Sequence, residues 1–219
     1  MRSLVIGASG GIGAALVAEL SLQGEAVGLS RSRDGLDITD EAVVAETLGR
    51  LTGQFDIIFI ATGALELDGA RPEKSLRAIS FDAMAAQLAL NAIGPVLVVK
   101  HALSLLPKDR QARIGVLSAR VGSIGDNALG GWYSYRAAKA ALNQFIHTAS
   151  IEVARSHPQA VLACLHPGTV ATDLTRSYSA GHPAVTPQKA ARYLVQVLQA
   201  MTPAQTGTFA DWRGDTVPW

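Results

Sequence analysis

At 219 residues with a formal net charge of +1, the chain can bury one substantial core, and its charge gives no reason to expect nucleic acid or an acidic surface as partner. A single cysteine, Cys164 in the apolar run AVLACLHPG, excludes an intramolecular disulfide and reads as a buried thiol. No apolar run is expected to approach the ~20 residues of a membrane span, and the N-terminus enters a strand at once, so the sequence predicts one cytoplasmic domain over 1–219 with no nucleic-acid or membrane partner.

In chain order, SLVIGA (3–8) reads as a buried strand and 12–23 as a helix. AVGLS (26–30) is a second strand, 40–51 a helix, and DIIFIAT (56–62) a strand apolar on both faces. Residues 80–106 predict a long helix, RIGVLS (113–118) a strand, and 134–155 another long helix. AVLACLH (160–166) is a strand and 187–200 a helix. Continuous apolar strands alternating with helices indicate a parallel sheet covered on both faces: an α/β, doubly wound Rossmann fold in a single domain.

The first strand runs into GASGGIG. Glycines there let the backbone turn sharply and approach a pyrophosphate, while the following helix start offers N–H groups and a positive dipole end. Gly7, Ser9, Gly11, Ile12 and Gly13 form the candidate cradle; Ser9 either bonds a phosphate or merely caps the helix. After the second strand, an NAD site usually places an acid for the ribose 2′-hydroxyl. The sequence has LSRSR instead, with Ser30 at that place followed by Arg31 and Arg33. A guanidinium bonds a 2′-phosphate that a carboxylate would repel. The expectation is NADP(H) rather than NAD(H), with Arg31 favoured over Arg33; the plainer reading is a solvated loop of mixed charge.

Within YSYRAAKAAL, Tyr135 and Lys139 are four apart and share one helix face, whereas Tyr133 points elsewhere. A lysine cation beside a phenol is expected to lower the phenol's pKa toward acid–base use. Alone, Y-x-x-x-K is common and also fits a plain surface pair.

Taken together, GASGGIG, LNAIGP, VLSARVGSIGDNALGGWYSYRAAKAALN and HPGTVATDL resemble the short-chain dehydrogenase/reductase family along essentially the whole chain. GSIGDNALGGWYSYRAAKAALN and the ending FADWRGDTVPW look most like its C-factor-like or sniffer-like carbonyl reductase branch. The resemblance implies Tyr135 as proton donor or base, Lys139 as ribose-binding lysine, and Asn91 as holder of a relay water. It also implies Pro167, Gly168, Val170 and Thr172 around the nicotinamide, with Asp37 and Ile38 at the adenine and Ala61, Thr62 and Gly63 behind its ribose.

Three departures stand out. The family serine aligns with Ala119, leaving Ser118 as the chosen substitute and Ser123 as another candidate. The usual NNAG reads ATGA. The stretch between Arg31 and LDITD is too short for a helix and a crossover to a normal third strand. The implied activity is NADPH-dependent hydride transfer to a small carbonyl, or from an alcohol, in a homodimer or homotetramer. The alternative is a catalytically weak NADP(H)-binding regulatory protein; no metal is expected. Residues 175–186 are the expected lid, His182 could contact substrate, and Trp212 and Trp219 pack at a subunit boundary or cover the sheet edge.

Overall fold

Strand β1 (Arg2–Ile6) pairs in parallel with β2 (Glu25–Leu29) on one side and β3 (Ile57–Ile60) on the other. Beyond β3 come β4 (Ala112–Leu117), β5 (Ala160–His166) and β6 (Phe209–Asp211), giving the order β2-β1-β3-β4-β5-β6. The structure is a computed structural model that describes residues 1–67, 69–175, 178 and 184–219. The strands are nearly all apolar because both faces are covered. Helices α1 (Gly11–Ser21) and α7 (Pro187–Ala200) bury Leu16, Leu20, Leu194 and Leu198 against Val5, Phe59 and Leu165 on one face. On the other face, α3 (Glu41–Gly49), α5 (Gly94–Ala102) and α6 (Tyr133–Ser156) pack over Ile58, Ile60, Ile114 and Cys164. The strand order reverses at β1, between β2 and β3, and the carboxyl ends of such strands open the crevice where dinucleotides bind in this architecture.

Between β2 and α3 the chain makes only the short helix α2 (Arg31–Asp34) and a buried stretch through Leu36 and Ile38. No strand forms there, so β2 is the sheet edge, in keeping with the short spacing. Strand β6 has no counterpart in the sequence reading. It is three residues long, and only pairing with β5 and the bridge Ala210–Thr216 defines it.

The predicted 80–106 helix is continuous but not uniform. It runs as α4 (Phe81–Leu88), a π segment Ala89–Ile93, α5, and a 3-10 turn Leu103–Leu105. By length and apolar character alone these 25 residues could cross a bilayer, which corrects the expectation that no run was long enough. Burial of Ala92, Val98, Val99 and Ala102 in the core beside the sheet identifies the run as a covering helix.

Candidate active site

The loop after β1 is shaped by two close approaches. Gly7 has φ +90, and a Cβ there would stand 2.6 Å from the Ala61 carbonyl oxygen. At Gly13 a Cβ would fall 2.1 Å from the Gly7 oxygen. Only glycine fits either position, so the turn lies tight against the end of β3 and delivers α1 start-first into the crevice. Helix α1 has Gly10 as its N-cap with no side-chain cap, so Ser9 does not cap it; the residue is exposed at the turn. A Cβ at Gly11 would meet Thr172 Cγ2 at 2.8 Å, which brings the Thr172 segment against the glycine loop. The cradle thus fits a pyrophosphate by its close backbone and the helix N–H groups of Gly11, Ile12 and Gly13.

At the end of β2, Ser30 is buried and caps α2. Its amide and hydroxyl both donate to Asp34 Oδ2, at 2.7 and 3.2 Å. Arg33 Nε donates to Ser30 Oγ at 3.3 Å, and its NH2 lies 3.5 Å from where a Gly28 Cβ would sit, beside Ala8 of the glycine loop. Arg31 lies instead close enough to Asp37 to help hold that carboxyl below its usual range, behind the larger effect of hydrogen bonds from Thr39. Arg33, rather than the favoured Arg31, is the guanidinium turned back over the strand end. Asp37 is bonded to the Thr39 hydroxyl at 2.6 Å, and Ile38 is a core side chain wedged against Gly94.

After β3, Ala61 donates to the Ile6 carbonyl at 2.8 Å, and the buried Thr62 hydroxyl has no partner among the described residues. Gly63 stands at the meeting point of the site. A Cβ there would be 2.7 Å from Asn91 Oδ1 and 3.5 Å from Lys139 Nζ. Asn91 is fully buried on the π segment, the kind of helix irregularity that recurs at functional sites. Its Nδ2 donates to the Ala64 carbonyl at 2.9 Å and to Gln87 Oε1 at 2.6 Å, while its Oδ1 accepts the Ala64 N–H at 3.2 Å. Pro95, four residues on, has no N–H to give the Asn91 carbonyl. Gln87 was missed in the sequence. Its Nε2 donates to the Leu65 carbonyl at 2.9 Å, so two helix side chains fasten the ATGA loop where the family's asparagine is lacking.

Tyr135 and Lys139 are both buried on one face of α6. Lys139 Nζ donates to the Leu117 carbonyl at 3.0 Å and lies 5.9 Å from the Tyr135 ring centroid. Burial pushes the ammonium down to about 8, with the Cys164 side chain pulling the other way. The phenol departs from expectation: burial raises it to about 12 rather than the lysine lowering it. In a buried site the cost of a bare phenolate exceeds the attraction of a lysine that is itself reluctant to be charged. Burial therefore favours the protonated phenol at Tyr135.

The three residues weighed for the serine position lie in different surroundings. Ser118 is 4% exposed, and its hydroxyl donates to Asn143 Oδ1, one turn beyond Lys139, at 2.6 Å. Its proton is committed inward, and alternation along the strand turns the next residue to the opposite side. Ala119 is half-buried and extended, with no hydroxyl to offer. Ser123 is buried and accepts the Asp126 N–H at 3.1 Å.

At the end of β5, Gly168 has φ +77 and packs on Trp212, which stacks on Tyr193 at 5.2 Å. Pro167 leads into this turn. Val170 is buried and bridged to Val185, and the Thr172 N–H donates to the Thr175 hydroxyl at 3.2 Å. Trp219 stacks on Phe209, so it covers β6, and its carbonyl accepts the Gly125 N–H at 2.8 Å. His182 and most of the expected lid core, residues 176–177 and 179–183, lie outside the described residues. Trp132 was also overlooked. Its ring stands edge-on to Tyr135 at 6.3 Å and to Tyr178 at 5.4 Å, and so bridges the two phenols.

Comparison with known proteins matches this arrangement. The short chain dehydrogenase family model matches residues 34–183. A 1-hydroxy-2-glutathionyl-2-methyl-3-butene dehydrogenase of Rhodococcus sp. (strain AD45) is 30% identical over 99% of this chain and 98% of its own. C-signal of Myxococcus xanthus is 32% identical over 77% of this chain and 95% of its own. Among solved structures, the carbonyl reductase Sniffer of D. melanogaster superposes with a TM-score of 0.85 at 20% identity, covering 100% of this chain and 99% of that one; this is a likeness of fold. A short-chain dehydrogenase/reductase of Burkholderia multivorans with bound NADP has a TM-score of 0.79 at 27% identity, covering 100% and 99%. With the glycine cradle, the π-segment asparagine and the tyrosine–lysine face on a six-stranded parallel sheet, the chain belongs to the short-chain dehydrogenase/reductase family of oxidoreductases.

Proposed function

We propose that the protein is an NADPH-dependent reductase of small aldehydes or ketones, running in reverse on the corresponding alcohols, with Tyr135 as acid and base. The observation that carries this reading is the convergence at Gly63, whose backbone brings the β3 loop, Asn91 and Lys139 within a few ångströms of one another. The cradle of Gly7, Ser9, Gly11, Ile12 and Gly13 would hold the pyrophosphate, Arg33 the 2′-phosphate, and Pro167, Gly168, Val170 and Thr172 the nicotinamide end. Ala61, Thr62 and Gly63 would line the adenosine ribose. A bound nicotinamide dinucleotide supplies the hydride that reduces the carbonyl carbon.

Tyr135 gives its hydroxyl proton to the substrate oxygen as the alcohol forms. A phenol raised to about 12 resists losing that proton to solvent and releases it to a strongly basic alkoxide. Lys139, close to neutral pH in its ionisation, orients ribose hydroxyls and passes a proton back toward Tyr135. Asn91 keeps the relay geometry by pinning Ala64. The substrate oxygen receives one donor from Tyr135, and none from Ala119. Exposed apolar side chains on the covering helices, Phe81, Ile93, Phe145 and Ile151, support a homodimer or homotetramer, and the whole reading fits a cytoplasmic enzyme.

The test is NADPH oxidation across a panel of small aldehydes and ketones, with Tyr135→Phe alongside. Turnover should vanish in the variant while its NADPH affinity stays near that of the parent, because only the proton is removed. A second reading draws on Ala119: a weak catalyst that binds NADP(H) for a regulatory purpose, as a relative named C-signal suggests. Tight NADPH binding with no reduction anywhere in the panel would favour it. Equal turnover in Tyr135→Phe would remove Tyr135 from the chemistry.

A further inference from the structure

Helix α6 starts without a cap of its own. Its N-cap residue is Trp132 at φ +53, no side chain of that residue bonds the helix, and the first turn contains no acid. Such a start leaves N–H groups unpaired and the positive dipole end uncompensated. The cap arrives from the loop before α4. Glu73 is buried, and its carboxylate accepts the Ser134 N–H at 3.1 Å and, in a short hydrogen bond, the Ser134 hydroxyl. The Glu73 carbonyl also accepts the Trp132 N–H at 2.5 Å. Burial works against the Glu73 charge, but hydrogen bonds led by the Ser134 hydroxyl prevail and hold the carboxyl below its ordinary range.

We propose that Glu73 is a positioning residue for Tyr135, closing the first turn of α6 from a distant loop so that the phenol cannot drift from Lys139. This rests on the reading of Tyr135 as the acid. Tyr135 is the third residue of the helix, in the turn that frays first. Lys139 is anchored independently: its ammonium bonds the Leu117 carbonyl, and a Cβ on Gly122 would approach its own Cβ to 2.7 Å. One partner of the pair is thus tied to the sheet, while the other, though buried, sits in the turn that the cap closes. Glu73 also fixes Trp132, whose ring flanks Tyr135. Arg136, in the same turn of α6, is spent on the Gly131 and Val121 carbonyls at 3.0 and 3.2 Å.

The experiment compares Glu73→Ala, Glu73→Gln, Ser134→Ala and Tyr135→Phe. It reads NADPH affinity, kcat and KM for 4-nitrobenzaldehyde, and the ring signals of carbon-13-labelled tyrosine. With four tyrosines in the chain, the Tyr135 signal is the one lost in Tyr135→Phe. Glu73→Ala should cut kcat about tenfold or more, as small misplacements of a reacting group do, while KM and NADPH affinity stay within about twofold. It should also shift or broaden the Tyr135 signal while leaving that of Tyr193, which stacks on Trp212 away from the cap, unchanged. Glu73→Gln keeps an oxygen for the Ser134 N–H and should restore most of kcat, with Ser134→Ala in between. If Glu73→Ala does not fold, the last two variants carry the same comparison. A lowered melting temperature with kcat and the Tyr135 signal unchanged would make Glu73 a stabilising residue only and overturn the inference. Undiminished turnover in Tyr135→Phe would instead bring down the reading beneath it, whatever Glu73 does.

Discussion

Moving the site's serine by one residue separates two roles that a hydroxyl can play at the end of β4. In Ser118→Ala the lost group is a buried donor, and the Asn143 amide oxygen it served, on a residue 2% exposed, is left without that bond at 2.6 Å. An unsatisfied buried acceptor costs about 1–3 kcal/mol, which for a chain of this length lowers the melting temperature by roughly 2–12 °C. Turnover should change little, because that proton faces α6 and not the substrate. Ala119→Ser adds a hydroxyl to a half-buried, extended residue, so it neither overfills a core nor strains the backbone. A donor aimed at a developing oxyanion is worth about 2.7–4 kcal/mol, or roughly 100- to 1000-fold in kcat. The assay is NADPH oxidation at saturating aldehyde, paired with thermal unfolding of each variant. A hundredfold loss of kcat in Ser118→Ala without a fall in melting temperature would return Ser118 to the chemistry. An Ala119→Ser enzyme no faster than its parent would show that this position does not face the substrate oxygen.

Two further outcomes concern charge. Arg33→Ala should weaken NADPH binding about tenfold or more, the scale of a bidentate guanidinium–phosphate contact, and leave NADH binding nearly untouched; fluorescence titration with both cofactors checks this, and a larger effect from Arg31→Ala would reverse the assignment. His166, at the end of β5, is pushed down to about 4 by burial, against the pull of Asp211. The unfolded chain therefore binds the His166 proton more readily than the folded one, so stability falls as pH drops from about 6.5 to about 4, by roughly 3 kcal/mol at the bottom of that window. Urea unfolding at several pH values should show that slope, and His166→Asn should lack most of it. An identical slope in the variant would place the acid sensitivity elsewhere.

Local pattern and long-range contact divide what could be read in advance. The alternation of apolar strands with amphipathic helices is a local property, and β5 and α7 end where the pattern says they should. The Tyr135–Lys139 face is equally local, since four residues make one helical turn. What escaped depends on pairs far apart in the chain. Gln87 reaches Leu65 across 22 residues, Ser118 reaches Asn143 across 25, and Glu73 reaches Ser134 across 61. Each is a polar side chain whose job is set by the one group opposite, and periodicity carries no trace of that group. The phenol's pKa failed for a related reason. Spacing gives the neighbour but not the burial, and at Tyr135 burial is the larger effect. The same distinction explains the arginines: Arg31 comes first after the strand, but Ser30 caps α2, and the turn that follows swings Arg33 back over β2. A reading from sequence is therefore most secure where one element suffices to define the chemistry. It weakens wherever a loop completes a helix, as Glu73 completes the start of α6.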